Sequence, residues 1–232
     1  MVILSHRRKS FRAAISSGGN NDPNFANVTL LLHGDGANGG SIITDSSPLA
    51  QTPTANALTT STTSPKFGTA SLDCTSTNTV SYTHASAFNF GTGDFTVEYW
   101  INTASTLSKI IGHDAVYAGE NAWLILIYGS KIIFQRYVTY TLYTSSASVN
   151  TGAWVHIAHC RSGTTHRLFI NGVQDSSITD SANYNCANRP WYVGGSAATY
   201  GSFTGKIDDL RVSKCARYTA NFTPPTAAFP DS

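Results

Sequence analysis

The sequence predicts an all-β protein, an antiparallel sandwich of two sheets, from three observations. Only 12% of its 232 residues are charged, and Ser, Thr, Asn and Gly are abundant beside 41% apolar and 11% aromatic residues. Hydroxyl-rich surfaces over β-branched interiors suit sheets better than helical bundles. Short apolar runs alternate with turn signals along the chain, the spacing of a sandwich. No window of useful length has the period of an amphipathic helix. The length suits one large domain, and all-β domains commonly reach it undivided.

Residues 1–19 read as a basic arm, 20–26 as a linker and 27–232 as the domain. Arg7, Arg8, Lys9 and Arg12 lie in the arm, so the rest of the chain carries eleven basic and thirteen acidic residues, a net of about −2. The body therefore offers no broad basic face for nucleic acid. The arm's apolar stretch, Val2 to Leu4, precedes the charges and is too short for a secretion signal. No window approaches the length that spans a membrane.

The domain opens with "VTLLLH" from Val28, which runs into the glycine-rich "GDG" of "LLLHGDG". No Lys-Ser/Thr pair follows to complete a phosphate loop. Ser46 to Pro65 is rich in Ser, Thr and Pro and reads as a long surface connection. In "GDFTVEYWI" from Gly93, Phe95, Val97, Tyr99 and Ile101 alternate with Thr96, Glu98 and Trp100, the period of a strand. Further strands are expected at "NAWLILIY" from Asn121, "KIIFQRYV" from Lys131, "AWVHIAHC" from Ala153, "HRLFINGV" from His166 and "GKIDDLRVS" from Gly205. Gly129-Ser130 suits a type II′ hairpin and Asn171-Gly172 a type I′ hairpin. Cys74, Cys160, Cys186 and Cys215 are widely spaced without a C-x-x-C pattern, and free thiols are expected.

Several segments, in order, resemble the laminin-G-like branch of the concanavalin A-like lectin/glucanase superfamily. They are "LLLHGDG", "ITDSS", "SPKFGTASLDC", "FNFGTGDFTVEYWI", "NTGAWVHIAHCRSGTTHRLFINGV", "WYVGG", "FTGKIDDLRVS" and "ARYTANFTPPTAAFP". The resemblance runs from about residue 26 to the end. It implies a jelly-roll sandwich of two curved antiparallel sheets, with first and last strands adjacent, and binding or structural roles more often than catalysis. The closing "ARYTANFTPPTAAFP" and the basic "HRRKSFR" opening are most similar to versions in phage virion and tail proteins. That implies a capsid decoration or tail component, assembled in the host cytoplasm, with other virion subunits as partners and a homo-oligomeric state.

Candidate sites follow from chemistry. Glycosidases need two carboxyl groups flanking the scissile bond, which glucanases of this superfamily carry as Glu-x-Asp-x-x-Glu. Here the only glutamates are Glu98 and Glu120, neither in such a pattern. No Gly-x-Ser-x-Gly elbow is present, and His156 and His159 fall in a strand that the family uses for packing. No enzyme and no catalytic residue is expected. Calcium takes several oxygen ligands, and related jelly rolls hold one near the terminal strands. Asp35, Asp45, Asp208 and Asp209 are the candidates. Alternatively, Asp35 and Asp45 bond turn amides while Asp208 or Asp209 pairs with Arg211 or another base. His33 is a poor calcium ligand and is expected to pack or hydrogen-bond.

Carbohydrate recognition uses aromatic faces beside amides and hydroxyls. Gln135, Arg136, Tyr137, Tyr140 and Tyr143 supply one such set, and Asn188, Trp191 and Tyr192 another. The same residue types also serve protein interfaces. For Arg7, Arg8, Lys9 and Arg12, charges without a folded platform bind nucleic acid only weakly, so docking on a virion subunit is expected. The resulting expectation is a virion structural protein displaying a lectin-like domain for cell-surface glycans. The alternative is a free lectin.

Overall fold

The computed structural model describes residues 21–75, 78–83, 86–113, 121–136, 140–186, 189–195 and 201–232. β1 (Val28–Leu32) opens the domain. The Ser46–Pro65 stretch carries β2 (Ala55–Asn56) and β3 (Thr59–Ser61), followed by β4 (Ser71–Cys74) and β5 (Val80–Tyr82). Longer strands come next: β6 (Phe95–Asn102), β7 (Leu107–His113), β8 (Trp123–Tyr128), β9 (Lys131–Arg136) and β10 (Tyr140–Ser148). The last are β11 (Val155–Ser162), β12 (Thr165–Ile170), β13 (Val173–Thr179), β14 (Trp191–Val193) and β15 (Gly205–Ser213). Two three-residue 3-10 turns are the only helical elements among the described residues.

One sheet runs β13-β12-β11-β6-β15-β4-β3, with β1 added beside β15; the other runs β10-β9-β8-β7-β14-β5-β2. The pairings between these strands are antiparallel. This is the expected two-sheet jelly-roll sandwich, and its first and last strands are neighbours. Between the sheets lies one aromatic core, with Phe88 stacked on Trp191 at 4.3 Å and Phe90 on Phe95 at 4.3 Å.

Phe95, Val97, Tyr99 and Ile101 point into this core, as their alternation requires. Thr96, Glu98 and Trp100, on the opposite face, are buried as well. The C-terminal segment crosses that face as a strap over Thr96 and Glu98, while Lys66 and Phe67 cover Trp100. Tyr218 and Phe222 stack at 3.6 Å and pack on Phe169, while Phe229 joins Val28 and Leu31. The strap passes so close to the β12–β13 hairpin that Phe222 N donates to Gly172 O at 2.9 Å. A Cβ at residue 172 would collide with the Phe222 carbonyl.

That hairpin is type I′ as expected, with Asn171 at φ 49° and Gly172 at φ 76°. The β8–β9 hairpin departs from expectation. Gly129 (φ 58°) and Ser130 (φ 71°) are both left-handed, which makes it type I′ rather than II′. Within the segment expected as linker, the Asp22 side chain is buried and Phe25 packs on the Val28–Leu31–Phe229 cluster. Asp22 N donates to Ser232 O at 2.8 Å, so the two ends of the described domain meet.

β15 carries a bulge. Asp208 opposes Trp100 and Arg211 opposes Glu98, which leaves one extra residue on β15, and Asp209 takes φ 49°. The same edge of β15 pairs with β4 before the bulge and with β1 after it. His33, just past β1, bridges the bulge to the strap: Nδ1 lies 2.6 Å from Asp209 Oδ1 and Nε2 2.7 Å from Asp231 Oδ1. Phe229 N donates to Asp209 Oδ2 at 2.8 Å. Burial pulls the imidazolium pKa down, but the bonds to Asp209 and Asp231 outweigh it and raise the pKa to about 9.

A raised histidine pKa contributes stability that is full below the ordinary value of 6.5 and lost as pH rises through about 9. His33→Ala is expected to melt lower than wild type at pH 6.5, with the gap shrinking by pH 10. An equal gap at both pH values, measured by calorimetry, would show that the charged clamp is not what secures the strap.

Candidate functional site

Beneath the strap lies a buried ion network. Glu98 Oε1 accepts from Arg211 Nε at 2.9 Å and Nη2 at 2.7 Å, and Oε2 accepts from Tyr218 Oη at 2.8 Å. His156 Nε2 is 3.6 Å from Oε2. Asp22 joins Arg211 to Arg217, accepting from Arg211 Nη1 at 3.0 Å and from Arg217 Nη2 at 2.7 Å. Burial alone would raise the Glu98 pKa; Arg211 outweighs it, with His156 and Arg217 adding, and the pKa falls to about 2. Glu98 is 0% exposed and enclosed on every bonded side, so it is an anchor for the strap. Glu120 lies outside the described residues, as do Arg7, Arg8, Lys9 and Arg12. His156 and His159 are buried in β11, and the four cysteines are free thiols.

The four aspartates expected near calcium serve separate loops. Asp45 accepts from the Leu31, Ser47 and Gln51 amides at 2.7–2.9 Å. Asp35 Oδ1 accepts from Thr69 Oγ1 at 2.9 Å and Ala70 N at 3.2 Å, an approach allowed because residue 68 is glycine. Asp208 Oδ2 accepts from Lys66 N at 2.7 Å and Phe67 N at 3.2 Å, and Asp209 is held by His33. Burial drives the Asp208 pKa up to about 7 against those two amides, with Asp209 adding to the rise. Arg211 bonds to Glu98 and Asp22, and the base that pairs with Asp209 is His33. Among the described residues no group of three or more His, Cys, Asp and Glu side chains could share a metal ion. The four carboxylates are held in separate loops and do not converge as a calcium site among the described residues.

The expected groove residues are also dispersed. Trp191 is a core residue stacked on Phe88, and Tyr143 is buried with its hydroxyl 2.7 Å from His159 Nδ1. Both point inward because β14 and β10 present them to the opposing sheet, so neither lines a groove. Gln135 is buried and donates to Thr141 Oγ1 at 3.3 Å. Arg136 pairs with Asp180 at 3.0 Å and lies 4.9 Å from the ring of Tyr140, which is 49% exposed. Tyr192 is half-buried, with Lys109 Nζ 5.4 Å from its ring. Tyr137 and Asn188 lie outside the described residues.

The structure instead brings together three residues that the sequence did not single out. Asp73 on β4, Lys206 on β15 and Asn102 on β6 are direct cross-strand partners, so their side chains share one sheet face. That face is the outer one, because the adjacent Leu72, Ile207 and Ile101 point into the core. The row lines an open cavity of about 470 Å³ walled by Thr63, Ser64, Thr75, Thr103 and Thr204. Lys206 Nζ donates to Thr63 O and, at 3.4 Å, to Ser61 Oγ. Trp154 Nε1 donates to Ser64 O at 3.1 Å, which fixes the half-buried indole against that wall. Asp73 and Asn102 are half-buried, and their side chains make no hydrogen bond among the described residues. Each of the three stands near a strand end in its sequence, and only strand order makes them neighbours.

Residues 75–221 match the laminin-G-like family model described as the concanavalin A-like lectin/glucanases superfamily. The chain belongs to this family. Among curated protein sequences none matches it. The fold is similar to the binding domain of Paraclostridial Mosquitocidal Protein 1, at 15% identity and TM-score 0.62 over 84% of this chain and 50% of that one. It is also similar to the botulinum neurotoxin serotype G binding domain, at 15% identity and TM-score 0.56 over 83% and 49%. A botulinum neurotoxin type C structure gives 14% identity and TM-score 0.59 over 84% and 49%, and cell entry of that toxin depends on two ganglioside molecules. The chain spans about half the length of these structures, and at such identities the likeness is one of fold.

For a laminin-G-like domain held by a buried ion network, acid stability is the direct readout. A carboxylate whose pKa falls to about 2 contributes stability present above its ordinary 4.5 and lost as pH falls through 2. Glu98→Gln leaves two arginines short of a buried partner and is expected to cost about 3–5 kcal/mol at pH 7. Its stability should also vary less than that of wild type between pH 5 and pH 2. A urea midpoint unchanged by the substitution at pH 7 would overturn the anchoring role.

Proposed function

We propose that the chain is a non-enzymatic phage virion protein whose laminin-G-like domain recognises glycans, tethered to capsid or tail subunits by residues 1–19. One contrast carries the recognition half. Glu98, the glutamate among the described residues, is sealed under the strap, whereas Asp73 and Asn102 line an open cavity and make no side-chain hydrogen bond among the described residues. A domain that buries its glutamate in an ion network and leaves acceptors and donors free at the surface is suited to binding. The family includes lectins by its own description, and ganglioside dependence in a fold neighbour is consistent with glycan recognition.

The virion half rests on the basic arm and on the closing segment, which resembles those of phage proteins. Asp22, where the arm joins the domain, bonds Arg211. Arg211 is five residues along β15 from Lys206, or roughly 17 Å of extended strand. A tether at one end and a groove at the other leave the groove free to face outward. Several copies on one particle would raise a weak affinity through avidity.

Two measurements check the proposal. Deleting residues 1–19 is expected to leave a folded domain absent from particles, and normal incorporation of the truncated protein would overturn the tether. A multimerised domain is expected to bind a glycan array with chelator as well as with calcium. No binding under either condition would overturn the lectin half.

A further inference from the structure

We infer that the cavity at the ends of β4, β6 and β15 is the saccharide subsite and that it takes a neutral pyranose through adjacent hydroxyls. The inference rests on the glycan-recognition reading above and adds to it a location and a ligand class.

Sugar hydroxyls donate and accept together, so their sites need groups of both kinds within one ring's reach. Asp73 only accepts, Lys206 only donates, and Asn102 does both. Neighbouring strands are ~4.8 Å apart, so this row spans about 10 Å, a length that a pyranose with its exocyclic groups covers. Lys206 already gives hydrogens to Thr63 and Ser61, which holds its ammonium in place and leaves the third for a ligand. Asp73 and Asn102 carry no intramolecular bond among the described residues that a sugar would have to break.

Charge selects the ligand class. Asp73 and Lys206 are paired across the strands and offset each other, so the cavity gives an acidic polysaccharide no net attraction. An uncharged ring satisfies both: one hydroxyl donates to Asp73, and its neighbour accepts from Lys206 or Asn102. The Arg136–Tyr140 pair on the second sheet has no comparable set, since its guanidinium is committed to Asp180.

The test uses the full chain and beads carrying mannan, dextran or galactan as neutral probes and alginate as the acidic one. Wild type is expected to be retained by at least one neutral polysaccharide. Asp73→Asn and Asn102→Ala should each weaken that binding about tenfold or more, the effect of losing a hydrogen bond to a polar ligand. Thr204→Trp, at an exposed wall position, should abolish it by filling the cavity, and it guards against a variant that merely misfolds. Arg136→Ala, remote from the row, should bind as wild type does. If neutral binding persists at full strength in all three cavity variants, the subsite is wrong while glycan recognition stands. Retention by alginate alone overturns the ligand class. No retention on any bead overturns the subsite together with the reading on which it rests.

Discussion

The pairing of Glu98 with Arg211 is the constraint on which most of the architecture turns. Both residues stand on central strands, β6 and β15, with side chains on the face away from the main core. An ion pair on an open sheet face would be worth little. Covered, it must have every charge matched, because an uncompensated buried charge costs several kcal/mol. The strap supplies the cover and part of the match: Tyr218 bonds to Glu98, and Arg217 reaches Asp22. Apolar contacts through Phe222 and Phe229 alone would leave the strap free to slide. The directional bonds of the network fix its register and draw Asp22 into the domain as well.

What was legible in the sequence was local. Period-two alternation in Phe95–Ile101 marks a strand whatever lies beyond it, and Asn171-Gly172 specifies its turn by steric preference alone. The fold class follows from many such segments, and the pairing of β1 with β15 was implied by the family resemblance. Less legible was what the second face of each strand meets. The burial of Thr96 and Glu98 depends on a segment more than 110 residues away. At Gly129-Ser130 the leading glycine suggested type II′, yet Ser130 accepts a left-handed φ and the strands take the turn that fits their twist.

Several candidate site residues take other places for a related reason. Trp191 and Tyr143 look like sugar platforms in a list of aromatics, but the pleat directs them inward, where Phe88 and His159 meet them. Asp35, Asp45, Asp208 and Asp209 look like hard ligands, but loops full of unpaired amides claim acceptors first. Asp73, Lys206 and Asn102 carry no local signature at all. They become a set only because β15 lies between β4 and β6, a fact about strand order that no single segment encodes.

The bulge at Asp208–Asp209 ties these observations together. It divides β15 into a half that pairs with β4 and ends in the polar cavity, and a half that pairs with β1 and bears the anchored strap. Its cost is visible: a left-handed aspartate, and a neighbour whose Oδ1 is buried without a hydrogen-bond partner among the described residues. That cost is offset by what the bulge positions, since Asp209 grips His33 and the Phe229 amide while Asp208 closes the Lys66–Phe67 loop. The ion network at Asp22 and Arg211 lies on the far side of the bulge from Lys206. The cavity residues sit on hydrogen-bonded strands rather than on the strap, so their spacing is set by the sheet. β15 thus separates the polar cavity from the anchored strap within nine residues.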